Sequence, residues 1–157
     1  MRILAIDNEE SVGRAVRRAL FGYHVTTVTS GADALARIGS GESFDAVICD
    51  VVMPDMDGHE FALRLSTVAP RLAEKTLFLT GDPGAVHQLA GRPVLMKPIE
   101  THLLRSHLEQ VVKPSGMRER FRDPAKAVET TVQQQESFSQ RPTRRPPPHQ
   151  AGGGGEE

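Results

Sequence analysis

The sequence lacks several features that would assign a chain to a particular class of protein. Its 157 residues include one cysteine, which excludes an intramolecular disulfide framework and a cysteine-based zinc site. No run approaches the roughly 18 apolar residues of a membrane helix, and no secretory hydrophobic segment stands at the N-terminus. The formal net charge of −1 gives no electrostatic footprint for nucleic-acid binding. We therefore expect a cytoplasmic protein without membrane or nucleic-acid partners.

The near-neutral charge conceals two regions of different composition. Residues 1–112 carry 11 basic and 14 acidic side chains, whereas residues 113–157 carry 8 basic and 6 acidic ones. The second region also holds six of the 11 prolines and a run of four glycines. Such a segment cannot bury enough apolar surface to offset the conformational entropy of the chain. We predict a folded domain over 1–112 and a mostly disordered, basic Pro/Gly-rich tail over 113–157.

Short apolar runs alternate with helical patterns along the first region. Buried strands are predicted for five runs: 3–6, 25–28, 44–49, 76–79 and 93–96. Apolar residues at helical spacing lie between and after these runs, and the last such helix has Thr101 as its predicted cap. Alternation of this kind indicates an α/β fold whose parallel strands are joined by right-handed crossovers.

Polar residues with related chemistry follow four of the predicted strands. They are Asp7 with Asn8 and Glu9 after the first strand, Asp50 after the third, Thr80 after the fourth and Lys97 after the fifth. The carboxyl ends of parallel strands meet at one edge of a sheet, where ligands bind. Paired carboxylates suit Mg²⁺, lysine and threonine suit a phosphoryl group, and an aspartate can be a phosphoryl acceptor. The pattern predicts Mg²⁺-assisted phosphorylation of Asp50.

Each of these residues also has an ordinary structural explanation when it is taken alone. Asp50 could cap a helix or form a turn, Thr80 could belong to a turn with the glycine that follows it, and Lys97 could be a solvated charge. These explanations do not predict that all of the residues fall at strand ends of one sheet. The functional interpretation therefore depends on the set rather than on any single member.

The motifs resemble those of the receiver domains of two-component response regulators. The resemblance rests on residues 3–9, 49–58, 79–81 and 97–98, and it extends over essentially all of 1–112. It implies a flavodoxin-like, doubly wound, five-stranded parallel sheet with strand order 2-1-3-4-5. It also implies Mg²⁺ as cofactor, a histidine kinase or histidine phosphotransfer protein as phosphodonor, and output by contact with a downstream protein rather than by enzymatic turnover.

The resemblance also assigns a role to individual residues. Asp50 matches the phosphoacceptor, and Asp7 matches the first residue of the acidic pair that serves the metal. The backbone carbonyl of Val52 is implied as a further metal ligand. Thr80 matches the switch hydroxyl, Lys97 matches the lysine that pairs with the acceptor and then with the phosphate, and Pro98 follows it through a bond that is usually cis.

One departure from the family pattern concerns the metal. The second acid of the pair is replaced here by Asn8. An amide oxygen is a weaker ligand of Mg²⁺ than a carboxylate, so we expect a lower affinity for the metal. Glu9, one position further on, is the alternative candidate for an additional ligand.

Two further departures concern the switch and its surroundings. Only 17 positions separate Thr80 from Lys97, fewer than is usual in the family, so we expect a shortened fourth helix over 85–90. The aromatic switch residue three positions before the lysine is replaced by Val94. Together with Asn8, these features leave open a pseudo-receiver that binds partners without phosphorylation. A phosphatase with Asp50 as nucleophile is a third, less favoured alternative, because no separate substrate-cap segment is present.

Overall fold

The computed structural model describes residues 1–89 and 91–113 of the chain. Five parallel strands form one sheet, in the order β2-β1-β3-β4-β5. The strands are β1 (Arg2–Ile6), β2 (His24–Val28), β3 (Ala46–Asp50), β4 (Thr76–Thr80) and β5 (Val94–Met96). The helices are α1 (Glu10–Ala19), α2 (Gly31–Gly39), α3 (Gly58–Val68), α4 (Pro70–Ala73), α5 (Pro83–Gln88) and α6 (Thr101–Val112). The predicted α/β class and strand order are confirmed, while the predicted tail lies outside the described residues from 114 onward.

Side chains of successive strand residues enter two separate apolar cores, one on each face of the sheet. In β1, Leu4 and Ile6 belong to the core that contains residues of α2, α3 and α5. Ile3 and Ala5 point the other way, into the core that contains residues of α1 and α6. This alternation follows from the two-residue period of a strand. The sheet is therefore covered on both sides, and its functional groups are left at the ends of the strands.

The shortened helix predicted between Thr80 and Lys97 is present as α5. It covers Pro83–Gln88, six residues, and so begins two positions before the predicted range 85–90. Ala90 lies outside the described residues. Proline is well suited to the first position of a helix, because its missing N–H would have no partner there. This preference explains why the helix starts at Pro83.

Other boundaries differ from the sequence predictions for local reasons. Thr101 does not cap α6 but is its first helical residue; Glu100 occupies the cap position and forms no side-chain cap bond in the described part of the chain. The strand predicted from Phe44 begins instead at Ala46, because the carboxylate of Asp45 accepts a hydrogen bond from the backbone N–H of Arg2 at 2.7 Å. Across the described residues, no helix has the length and apolarity needed to span a membrane.

Candidate functional site

The carboxyl edge of the sheet brings Asp7, Asp50 and Lys97 into direct contact. Asp7 follows β1, Asp50 ends the neighbouring β3, and Lys97 follows β5 at the edge of the sheet. The Lys97 Nζ atom lies 2.9 Å from Asp7 Oδ2 and 3.2 Å from Asp50 Oδ1. The long lysine side chain therefore reaches past the end of β4 and joins the two carboxylates.

The site holds more negative than positive charge in a buried position. Asp7 and Asp50 are only 5% and 4% exposed, and a single ammonium group serves both. Burial and the charge of Asp7 raise the pKa of Asp50, although Lys97 and the backbone N–H of Val52 oppose the shift. Burial alone would lower the pKa of Lys97, but the hydrogen bond to Asp7 and the charges of both carboxylates raise it. The ammonium thus stays charged, and the site retains an excess carboxylate charge that favours a cation.

The chain around Asp50 is held by a close approach of two backbone segments. The backbone N–H of Gly58 donates to the carbonyl of Val51 at 2.8 Å. A Cβ atom at Gly58 would lie 2.8 Å from the carbonyl oxygen of Asp50 and 2.8 Å from the Cα of Val51. Asp57 then caps α3 by accepting a hydrogen bond from the backbone N–H of Glu60 at 2.7 Å. Glycine is therefore required where α3 begins, directly beside Asp50.

Contacts of both carboxylate oxygens fix the orientation of the Asp7 side chain. Its Oδ1 atom accepts a hydrogen bond from the backbone N–H of Glu9 at 2.9 Å, and its Oδ2 atom faces Lys97. The side chains of Asn8 and Glu9 are both exposed. A ligand role for either of them stays a prediction, and so does the role of the Val52 carbonyl.

The hydroxyl of Thr80 has partners that the sequence patterns did not predict. Thr80 is fully buried at the end of β4, and its carbonyl accepts a hydrogen bond from the backbone N–H of Lys97 at 2.7 Å. Its Oγ1 atom donates to the carbonyl of Asp82 at 3.2 Å and accepts from the backbone N–H of Asp82 at 3.0 Å. The pair Asp82-Pro83, a cap residue followed by proline, was the sequence signal for this arrangement.

The remaining groups near the site are structural. The thiol of Cys49 is buried, and its pKa is raised well above its ordinary value by burial and by the charges of Asp50 and Asp7. It therefore stays protonated and is not a nucleophile. The Lys97–Pro98 peptide bond is cis. Val94 is half-buried against the core on the side of α5.

The carboxylates of Asp7 and Asp50 fit a Mg²⁺ site in which the protein supplies only some of the ligands. Within residues 1–89 and 91–113, no three His, Cys, Asp or Glu side chains form a group that could hold a metal. Mg²⁺ is commonly bound by one or two carboxylates, with waters and phosphate oxygens as its other ligands. Asp7 and Asp50 supply two such carboxylates at the carboxyl edge of the sheet, whereas a cation site made of protein ligands alone would require more of them.

Comparisons with known proteins agree with this fold. The model of the response regulator receiver domain matches residues 3–109. The response regulator receiver protein CpdR of Brucella abortus is 35% identical over 118 residues, which cover 71% of this chain and 96% of CpdR. The two-component response regulator ARR10 of Arabidopsis thaliana is 32% identical, but the match covers only 22% of that longer protein.

Solved structures show the same architecture. The response regulator TrrA of Thermotoga maritima, solved in complex with Mg²⁺ and BeF, is 25% identical with a TM-score of 0.63. That alignment covers 70% of this chain and 97% of TrrA. The chemotaxis response regulator CheY4 of Vibrio cholerae is 28% identical with a TM-score of 0.59, over 70% of this chain and 97% of that one.

Proposed function

Because this chain belongs to the response regulator receiver domain family, we propose that it accepts a phosphoryl group on Asp50 during two-component signalling. The donor is the phosphohistidine of a histidine kinase or of a histidine phosphotransfer protein. The observation that carries the proposal is the pair of buried carboxylates joined by Lys97 Nζ at 2.9 and 3.2 Å. Output is contact with a downstream protein, and a cytoplasmic location stays a prediction.

The chemistry assigned to the chain's own residues is simple. A carboxylate oxygen of Asp50 attacks the phosphorus atom of the donor, the phosphorus–nitrogen bond breaks, and the imidazole leaves with the bonding electron pair. Lys97 lies beside Asp50 and can pair with the new phosphoryl oxygens as well as with Asp7. Mg²⁺, held by Asp7 and Asp50, would supply positive charge at the transferred group.

The proposal is tested by incubating the full chain with acetyl phosphate and Mg²⁺ and measuring its intact mass. We expect the mass to increase by one phosphoryl group in the wild type and to stay constant in Asp50→Asn. The same incubation of Asp55→Asn, an exposed carboxylate of the next loop, is the matched control and should give the wild-type increase. A wild type that gains no phosphoryl group, or an increase that persists in Asp50→Asn, would refute the proposal.

A pseudo-receiver that works without phosphorylation is the second candidate. Two features favour it: the exposed amide of Asn8 in place of an acid, and the aliphatic Val94 in place of an aromatic residue. Titration with Mg²⁺, followed through amide chemical shifts of the loop after β1, separates the candidates. Saturation at millimolar concentrations supports the phosphoacceptor, whereas the absence of binding, together with partner binding retained by Asp50→Asn, supports the pseudo-receiver.

A further inference from the structure

A cavity lies at the edge of the sheet where the strands begin, opposite the edge that holds Asp7, Asp50 and Lys97. Its lining comes from the end of α2, from the connection that leads into β3, and from the connection through α4 that leads into β4. These segments meet because the parallel strands all begin at this edge. The cavity has a volume of about 440 Å³. Small-molecule sites commonly have volumes of roughly 300–1,000 Å³, so its size fits a small organic molecule.

The floor of the cavity is apolar. Four partly buried side chains line it and pack against the core on the side of α2 and α3: Ile38, Phe44, Ala69 and Leu72. Backbone hydrogen bonds fix the segments that carry them. The N–H of Val47 donates to the carbonyl of Lys75 at 3.0 Å, and the N–H of Lys75 donates to the carbonyl of Leu72 at 2.9 Å. The cavity thus offers a fixed apolar surface, and free energy is gained when an apolar group covers it.

The charged residues that line the cavity leave it with positive charge. They are Glu42, Arg71 and Lys75. The two carboxylate oxygens of Glu42 are paired with Arg2 at 3.2 Å and with Arg37 at 3.1 Å. Neither Arg71 nor Lys75 forms an ion pair with a residue in the described ranges. Lys75 is also half-buried, and a cation that has lost part of its water is stabilised by a nearby anion.

We propose that this cavity binds a small organic anion in which a carboxylate is attached to an aliphatic body. The body covers the apolar floor, and the carboxylate accepts hydrogen bonds from Lys75 and Arg71. The carboxylate of Glu42 does not compete for these two cations, because Arg2 and Arg37 already pair with it. The cavity shares no residue with the acceptor site, so its test and the test of phosphorylation have separate outcomes.

Octanoate is the probe, and the full chain is titrated with it while the amide chemical shifts are followed. We expect saturating shifts at the amides of Phe44, Leu72 and Lys75, with a dissociation constant of about 1 mM for a ligand of this size. The amides of Asn8 and Glu9, beside the acceptor site, should not shift. Lining amides whose shifts do not saturate, or larger shifts at the acceptor site, would overturn the proposal.

Two related compounds test the two halves of the proposed ligand. Acetate carries the carboxylate without the aliphatic body, and octylammonium carries the same body with the opposite charge. We expect each of them to bind at least about tenfold more weakly than octanoate, because each lacks one of the two interactions. Equal affinity for octylammonium would contradict the anion, and equal affinity for acetate would contradict the aliphatic body.

A lysine variant tests the cation. Lys75→Met keeps the aliphatic stem and removes the charge, and we expect the dissociation constant of octanoate to rise about five-fold. Lys75→Arg keeps the charge and should stay close to the wild type. Lys113→Met, an exposed position at the end of α6 on the other face of the sheet, is the matched control and should not change the affinity. Unchanged affinity in Lys75→Met, or an equal loss in Lys113→Met, would contradict the assignment.

The acidic residues Glu156 and Glu157 of the same chain are a competing source of an anion. A variant that combines Glu156→Gln with Glu157→Gln tests them. We expect it to bind octanoate as the wild type does and to have unchanged shifts at the lining amides before octanoate is added. Shifted lining amides in the ligand-free variant, together with tighter binding of octanoate, would assign the cavity to the chain's own acidic residues and would overturn the small-molecule site.

Discussion

The ammonium nitrogen of Lys97 lies 2.9 Å from Oδ2 of Asp7, although 90 positions separate the two residues in the chain. The same nitrogen lies 3.2 Å from Asp50, so one cation joins the ends of β1 and β3. Two buried carboxylates that share one cation repel each other, and each is costly to bury without a partner. The stability of the domain and the chemistry of the site therefore depend on the same three side chains.

Replacement of Lys97 should destabilise the domain. Lys97→Met leaves both carboxylates buried without a cation, and we expect a loss of roughly 1–3 kcal/mol in the free energy of unfolding at neutral pH. The loss should shrink in acid, where protonation removes the repulsion. Urea denaturation across this pH range measures both effects. Lys75→Met, at the opposite edge of the sheet, is the control lysine variant, and a loss no larger than the control's would contradict the account.

Asp50→Asn should stabilise the unmodified protein at neutral pH. The pKa of Asp50 is raised above its ordinary value of 3.8 in the folded state, so the folded protein binds this proton more tightly than the unfolded chain. The free energy of unfolding therefore falls as the pH rises from about 3.8, the ordinary pKa of Asp50, through the raised pKa of Asp50 in the folded state. Asp50→Asn lacks this fall and should be more stable by on the order of 1 kcal/mol at neutral pH.

The stabilities of the wild type and of Asp50→Asn should become equal at a pH below the ordinary pKa of an aspartate. There Asp50 is protonated in both the folded and the unfolded wild type. The measurement is the urea midpoint as a function of pH, with Asp55→Asn as the control that keeps the wild-type profile. An Asp50→Asn variant that is less stable than the wild type at neutral pH would show that the carboxylate pair is not under repulsion.

Gly58→Ala should be strongly destabilising although Gly58 begins a helix. The new Cβ would lie 2.8 Å from backbone atoms of both Asp50 and Val51, and backbone atoms cannot move aside cheaply. We expect a loss of about 1–3 kcal/mol in thermal or urea denaturation. Gly39→Ala is the matched control, since a Cβ there meets nothing within 4 Å and alanine favours a helix. Equal stability of the two variants would rule out the close approach.

Asn8→Asp should strengthen the binding of Mg²⁺. The change adds a third carboxylate beside Asp7, and affinity for hard cations rises with the number of charged ligands. We expect an affinity higher by on the order of tenfold, measured by calorimetric titration. Glu9→Gln, at the neighbouring exposed position, distinguishes the two candidates for an additional ligand. An unchanged affinity in Asn8→Asp would show that position 8 does not face the metal.

Much of the fold could be predicted because its signals are local. The apolar runs around Leu4, Ile48 and Phe78 are buried on both faces of the sheet, which is why they are continuous rather than alternating. Helix α4 was missed because Pro70–Ala73 is only four residues long and has no measurable periodicity. The order of the strands came from the resemblance to a family, since single-strand patterns carry no information on which strands are neighbours.

The chemistry of the site was predictable, but its contacts were not. Residue type and position at a strand end were enough to select Asp7, Asp50 and Lys97. The contact of one lysine nitrogen with both carboxylates depends on the length of the Lys97 side chain, which reaches past the end of β4. Sequence patterns do not predict such a contact. The partnership of Thr80 with Asp82 was not predicted, because the predicted helix began only at residue 85, although an aspartate before a proline is a typical helix start.

The most direct test of the central claim locates the phosphoryl group itself. After incubation with acetyl phosphate and Mg²⁺, treatment with borohydride reduces an acyl phosphate to an alcohol and converts the modified aspartate to homoserine. Peptide mass mapping then identifies the residue. We predict conversion at Asp50 alone, dependent on Mg²⁺ and greatly reduced in Lys97→Met. Conversion at Asp7 or Asp57, or no conversion at any carboxylate, would contradict the assignment of Asp50 as the phosphoacceptor.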